Sequence, residues 1–354
     1  MTQAIHQILK TLVPGDAISH HTREIRDIIR SMGFQSEIFV ETCDPTLVKE
    51  TQPLESYDHY SSPENIVIFH FSQGTPLVDR ILALPDRIVI IYHNITPEKY
   101  FRRVHHQTWE SLIQGRDQLP LLASKSIFGF ADSEYNRKEL VQAGCRRTGV
   151  LPIIINFELY DEPLNPMVTH LFQDRQTTFL FVGRVTPNKG HLNILKFMYY
   201  FKKIEQAARL IIVGQYYGFE PYVYLLNQTT THLKLEDVYF VGHVSHNELC
   251  TYYQLADIFL CVSFHEGFCV PLVESMYFDL PIMACSGTAI DDTLGNAGLI
   301  FKEFNPLLMA ETAHRVLKDQ AFRATIIRDQ RRRCQHFERQ KIVDIFKRHL
   351  QSIL

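Results

Sequence analysis

The chain has 354 residues, 45 % apolar and 21 % charged, with a formal net charge of -3 and seventeen His. That length suits two domains, and that composition supports a large folded core and excludes global disorder. The charge balance is not that of a dedicated nucleic-acid binder, and no apolar run reaches the ~20 residues that span a bilayer. Residues 4–13 predict a first strand, Pro14 to Ala17 a turn, and the following stretch to Met32 a helix with Ile18, Ile25, Ile28 and Ile29 on one face, stopped by Gly33. Strands follow at 37–40, 66–71, 87–92, 128–131 and 149–155, with helices at 76–83, 109–122 and 135–143 between them. The polar stretch 42–64, with Pro45, Pro53 and Pro63, reads as a loop holding at most one short helix. Alternation of this kind predicts a parallel sheet covered on both faces.

Residues 158–176 carry Pro signals and little periodicity and mark a linker between a first domain, 1–157, and a second, 177–330. The second begins with Phe179-Leu-Phe-Val-Gly183 as a strand and a helix over 190–206. Strands at 210–213 and 238–241 alternate with a helix at 219–233, and Ser245-x-x-Glu248 is a capping box that opens the next helix. Asp257 to Val262 reads as a buried strand, followed by the turn His265 to Glu274 and strands at 281–285 and 298–302. From Asn305 helix is expected almost without a break to Leu354, with 331–354 as a terminal helical segment. The two halves should present their strand carboxyl ends to a cleft between them. Met1 to Thr11 lacks the basic region and apolar stretch of a signal peptide, and seven scattered Cys fit a reducing cytoplasm.

The turn at 265–274 is the most informative stretch. Glu266 and Gly267 lie between strand and helix, Pro271 fits a first helical turn, and Glu274 follows one turn in. The backbone N–H groups of Phe268, Cys269 and Val270 should point out of the helix start, ready for an anion or a row of hydroxyls. Two carboxylates beside such donors suit a polyol carrying a phosphate, that is, a sugar nucleotide. An ordinary turn with two solvated Glu fits the same residues. Gly183-Arg184 and Lys189-Gly190 flank the first strand–helix turn of the second half, where Arg184 could fork onto phosphate oxygens and Lys189 act as a point charge. An exposed basic turn is the alternative. Gly15-Asp16 is the matching turn of the first half, and an ordinary turn is its stronger reading. His93 ends a buried strand and could reach a sugar hydroxyl, or be a satisfied strand-end imidazole. Arg331-Arg332-Arg333 reads as a solvated face, with contact to an acidic lipid as the weaker option.

Several motifs are missing: a Gly-x-x-x-x-Gly-Lys-Ser/Thr loop, Gly-x-Gly-x-x-Gly, His-Glu-x-x-His, paired Cys, Gly-x-Ser-x-Gly and Asp-x-Asp. Without Asp-x-Asp a diphosphate-bound divalent metal lacks its usual ligands, so no metal and no cofactor are expected.

Together these residues resemble the retaining glycosyltransferases of family 4, or group 1. Glu266-Gly-Phe-Cys-Val-Pro-x-x-Glu274 matches that family's Glu, seven residues, Glu signature. Gly183-Arg184, Lys189-Gly190, Val238-x-Phe-x-Gly242-x-Val244-Ser245, Leu255 to Leu260, His93 to Pro97 and Ala131 to Asn136 also look like the family. The resemblance implies an α/β chain of the GT-B fold, two Rossmann-like doubly wound parallel-sheet domains facing across a cleft, with the C-terminal helix returning to the N-terminal domain. It implies a retaining, metal-independent transfer of a hexosyl group from a UDP- or GDP-sugar to a hydroxyl of a glycan or lipid-linked acceptor. The setting would be cell-surface polysaccharide or glycolipid synthesis in the cytoplasm, with room for a peripheral contact at the inner face of the membrane and no nucleic acid. Glu266 would contact the donor sugar, and Glu274 the ribose. Gly267, Phe268, Cys269 and Val270 would supply backbone contacts, and Gly183, Arg184 and Lys189 would hold the diphosphate. His93 would sit beside the sugar, Gly242, His243 and Val244 would flank the base, and Gly15 and Asp16 would approach the phosphate. Two departures stand out: Asp16 where many relatives have Gly, and Cys269 where many have Gly. A sugar-nucleotide epimerase or phosphorylase, or a non-catalytic sugar-nucleotide-binding subunit, remains open.

Overall fold

The computed structural model describes residues 3–172, 174 and 176–354; Met1 and Thr2, and Gln173 and Arg175 of the expected linker, lie outside the described residues. The chain divides into two compact units. The first comprises Met1–Glu98, Gln107–Ile155 and Arg339–Leu354, and the second Lys99–His106 and Asn156–Glu338.

The first unit is built on seven strands: β1 (Ile5–Leu12), β2 (Ile38–Cys43), β3 (Gln52–Pro53), β4 (Ile66–Phe71), β5 (Arg87–Tyr92), β6 (Phe128–Ala131) and β7 (Thr148–Val150). They pair in parallel in the order β3-β2-β1-β4-β5-β6-β7. All six residues of β4 are buried, as a central strand covered on both faces requires. Ile25, Ile28 and Ile29 of the helix Ala17–Ser31 join Ile5, Ile66 and Val89 in one core. The same core takes Ile342, Val343, Phe346 and Leu350 from the helix Arg339–Gln351.

The second unit has six parallel strands: β8 (Thr177–Val182), β9 (Ala208–Val213), β10 (Val238–Gly242), β11 (Ile258–Cys261), β12 (Ile282–Cys285) and β13 (Leu299–Phe301), in the order β10-β9-β8-β11-β12-β13. Phe179, Phe181, Phe197 and Phe201 anchor its core with Leu210, Ile258 and Met283. In each sheet the winding reverses beside the first strand, at β1/β4 and at β8/β11. The carboxyl ends of strands at such a switch point leave a crevice open to ligands.

Several details depart from the periodicity reading, among them the strand expected at 149–155, which is only Thr148–Val150. The expected run of helix from Asn305 is three helices, Pro306–Lys318, Gln320–Cys334 and Arg339–Gln351. Asp319 makes the first break, because its side chain caps the second helix at the Phe322 N–H. The stretch 42–64 carries the short strand β3 and two 3₁₀ turns, with Pro53 tolerated because β3 is an edge. A short helix, Pro166–Phe172, forms in the expected linker, and another, Ala289–Leu294, between β12 and β13. Residues 99–106 fold with the second unit although the chain on either side of them belongs to the first.

Candidate active site

The turn after β8 runs through Gly183 and Arg184 to the 3₁₀ turn Pro187–Lys189 and then the helix His191–Ile204. Gly190 has φ +75, and a Cβ there would stand 2.3 Å from the Val262 carbonyl oxygen. Only glycine lets this turn press against the end of β11. Asn188 fastens the approach: its carbonyl accepts the Phe264 N–H at 2.7 Å, and its Nδ2 donates to the His265 carbonyl at 3.3 Å. Lys189 Nζ thereby lies 2.7 Å from both carboxylate oxygens of Glu266. Burial disfavours the ammonium, yet Glu266 and the neighbouring thiols of Cys269 and Cys261 hold the Lys189 pKa above its ordinary value. Arg184 is exposed, with its guanidinium 5.5 Å from the Phe219 ring centroid.

Glu266 is buried and its backbone is held by the loop after β12. Its N–H donates to Thr288 Oγ1 at 3.0 Å and its carbonyl accepts the Ala289 N–H at 3.3 Å. Gly267 is half-buried and Phe268 buried. Cys269 is the N-cap of the helix Val270–Tyr277 and sits at φ +71, the left-handed region that favours glycine. Pro271 occupies the first turn, and the Val270 N–H has no partner within the helix. Glu274 is buried beneath two phenols: Tyr160 donates to its Oε1 at 2.7 Å and Tyr253 to its Oε2 at 2.6 Å. Burial pushes the Glu274 carboxyl up and the two hydroxyls pull it back. At the end of β10, Gly242 has φ +76 and accepts the Gly214 N–H, His243 is exposed, Val244 half-buried, and Ser245 and Glu248 form the capping box that the spacing implied.

In the first unit, Gly15 has φ +72 and Asp16 caps the helix Ala17–Ser31, its Oδ2 accepting the Ser19 N–H at 2.9 Å. A carboxylate thus stands where a close phosphate approach was in question. His93 has a side chain only 2 % exposed and both ring nitrogens engaged: Nδ1 lies 2.9 Å from Asp132, and Nε2 2.9 Å from His70 Nδ1. Its reach to a sugar hydroxyl would require giving up one of these bonds. The chain continues from His70 Nε2 to Gln7 Oε1 at 2.9 Å, and Gln7 Nε2 donates to the Thr22 carbonyl at 3.0 Å. The contacts constrain the His70 tautomer. Gln7 offers its oxygen, so His70 Nε2 carries hydrogen; burial keeps His70 neutral, so its Nδ1 accepts from His93 Nε2–H.

The fold therefore brings together Lys189, Glu266, Cys269, Val270 and Glu274 along the carboxyl edge of β8 and β11. Gly183 and Arg184 open the same turn, Gly242, His243 and Val244 end β10, and Gly15, Asp16 and His93 belong to the other unit. Sequence reasoning missed Thr288, Tyr160 and Tyr253, which carry no local motif, and His70, a polar residue within an apolar strand; it included Asp132 in the family-like segment Ala131 to Asn136 but gave it no role. It also missed the 99–106 segment, where Tyr100 stacks 5.9 Å from Phe264, and His105 lies 5.2 Å from Phe219. Within the arginine run, Arg331 and Arg332 are exposed, as a solvated face requires, with Arg331 paired to Asp279, while Arg333 is half-buried and donates to the Thr293 carbonyl.

Two doubly wound parallel sheets, each with its own switch point, give this chain the architecture of the GT-B fold. Residues 167–333 match the family described as glycosyl transferases group 1. Similar proteins include O-antigen chain mannosyltransferase B of Escherichia coli, 28 % identical over 34 % of this chain and 32 % of that one. Another is O-antigen chain mannosyltransferase RfbU of Salmonella typhimurium, 32 % identical over 36 % of this chain and 35 % of that one. The matched stretch thus spans about a third of each relative. Among solved structures, Anabaena Alr3699/HepE in complex with UDP and glucose aligns over 99 % of this chain and 100 % of that one, with TM-score 0.77 and 19 % identity.

Proposed function

We propose that this protein is a retaining, metal-independent glycosyltransferase that moves a hexosyl group from a nucleoside diphosphate sugar to a hydroxyl of a glycan or lipid-linked acceptor. The observation that carries the reading is the 2.7 Å Lys189–Glu266 pair at the β8/β11 edge, within the stretch that matches the group 1 family. Lys189 has three donors and spends two on Glu266; the third is available to a diphosphate oxygen. As the glycosidic bond breaks, negative charge builds on the leaving phosphate. Lys189, Arg184 and the first-turn N–H groups stabilise that charge more in the transition state than in the ground state. Glu266 stands beside the sugar and keeps Lys189 in place. Glu274 receives the ribose hydroxyls on lone pairs that Tyr160 and Tyr253 leave open. His93, its ring held by Asp132 and His70, would serve the donor sugar, and Gly242 to Val244 would flank the base. The O-antigen chain mannosyltransferases among its relatives support a place in cell-surface polysaccharide synthesis. Among the described residues no helix is long and apolar enough to cross a membrane.

The test is a thermal-shift panel of UDP- and GDP-sugars followed by transfer assays with the stabilising donor. A donor present at 100 times its Kd raises stability by about 2.7 kcal/mol. Lys189→Ala should lose both the shift and transfer, and Glu266→Gln should lose transfer while keeping most of the shift. Activity that disappears with EDTA and returns with magnesium would refute the metal-independent mechanism.

A further inference from the structure

Cys261 ends β11 and Cys269 caps the next helix, with seven residues between them and no motif to link them in sequence. In the fold their sulfurs are 3.9 Å apart and both are free thiols. One Sγ of each, together with a carboxylate oxygen of Glu266, lie within 4.8 Å of one another. A zinc ion holds thiolates at about 2.3 Å in a tetrahedron, which sets two sulfurs about 3.8 Å apart. The observed separation is already that of such an edge. We propose that Cys261, Cys269 and Glu266 form a binding site for a thiophilic divalent cation of the zinc class, leaving a fourth position open to water or an anion.

Charge supports the assignment. Two thiolates, one carboxylate and a dication sum to a single negative charge, and Lys189 beside Glu266 offsets it. Binding releases the two thiol protons to solvent, and Lys189 keeps one Glu266 oxygen while the metal takes the other. The site differs from the carboxylate-held metal that retaining transfer would lack, because its ligands are two sulfurs and it engages the side chain facing the sugar. On the reading proposed above, metal bound here draws Glu266 away from the donor and blocks transfer.

The experiment titrates the full-length, reduced, metal-free chain with cobalt(II). The expected result is one equivalent bound with a thiolate-to-cobalt charge-transfer band and the strong visible bands of tetrahedral coordination, both erased by zinc chloride. Cys269→Gly keeps the backbone conformation and should weaken zinc by ~100-fold or more, beyond what loss of an outer-shell partner costs. Cys261→Ser should do the same, and should it fail to fold, Cys269→Gly still carries the test. Cys43→Ser, in the other unit, should leave the spectrum unchanged. Only the weak bands of octahedral cobalt, or tetrahedral bands that persist in Cys269→Gly, would overturn the site. Zinc should also inhibit transfer by the wild type, and a chelator should restore it. Binding without inhibition would overturn the block on transfer alone, and the cobalt spectrum stands whether or not a transfer activity is found.

Discussion

Cys269 shows what a single residue can carry. Its left-handed backbone costs a non-glycine residue roughly 1–2 kcal/mol, while glycine gives back about 0.5–1 kcal/mol through its freer unfolded chain. Cys269→Gly should therefore unfold in urea within about 1 kcal/mol of the wild type. Cys269→Val, β-branched in a region closed to such residues, should fall well below both. Glu274 is the second case. Tyr253 is fully enclosed and donates to its carboxylate, so Tyr253→Phe leaves a buried oxygen short of a donor and should cost about 1–3 kcal/mol. An unchanged denaturation midpoint would mean that the phenol does not hold the carboxylate. Buried imidazoles give a pH signature. Burial holds His21 and His70 well below their ordinary pKa and drives His191 to about 3. The folded chain stays unprotonated at these sites while the unfolded chain takes up protons below about pH 6.5. Stability should fall as pH drops from about 6.5, by up to about 1.4 kcal/mol per unit for each imidazole. Asp132 and Glu274, raised by burial, act in the opposite sense, but near the ordinary carboxyl range and so at lower pH. Urea midpoints at pH 7 and 5.5 check this, and a higher midpoint at 5.5 would contradict it.

At the scale of elements, local signals and packing divide the work. The Ser245–Glu248 box was legible because a cap is a contact over three residues, and both of its reciprocal bonds form. Asp319 is as local, yet the helix-favouring residues on either side hid it in the sequence. Its carboxylate decides where one helix ends and the next begins. Asp319→Ala should cost about 1 kcal/mol in an equilibrium melt, with little change in donor binding. The Gly190 turn was legible as a glycine and a lysine at a strand end. What it achieves was not, because the 2.3 Å clearance at Val262 belongs to a strand some seventy residues away.

At the scale of the whole chain, the path matters more than the sequence order. Residues 339–354 belong to the unit that the first half builds, and four apolar side chains of that last helix lie in its core. Fully burying each is worth about 1.5–3 kcal/mol, a sum comparable to the 5–15 kcal/mol that holds a domain folded. A chain cut after Glu338 should therefore lose the cooperative unfolding of its first unit. A chain cut at 351 should keep most of it, which calorimetry of the two truncations would separate.

By itself the sequence determined two parallel α/β sheets, their strand ends and the turns bearing Glu266, Glu274, Arg184 and Lys189, because periodicity, glycines and caps act over a few residues. The tertiary structure alone decided that Lys189 grips Glu266, that Tyr160 and Tyr253 cover Glu274, and that His93 is closed into a chain with Asp132, His70 and Gln7. It also decided that Cys261 and Cys269 meet. Each of these contacts joins residues brought together by strand order and chain crossing, and hydrogen bonding of that kind leaves no period in the sequence to read.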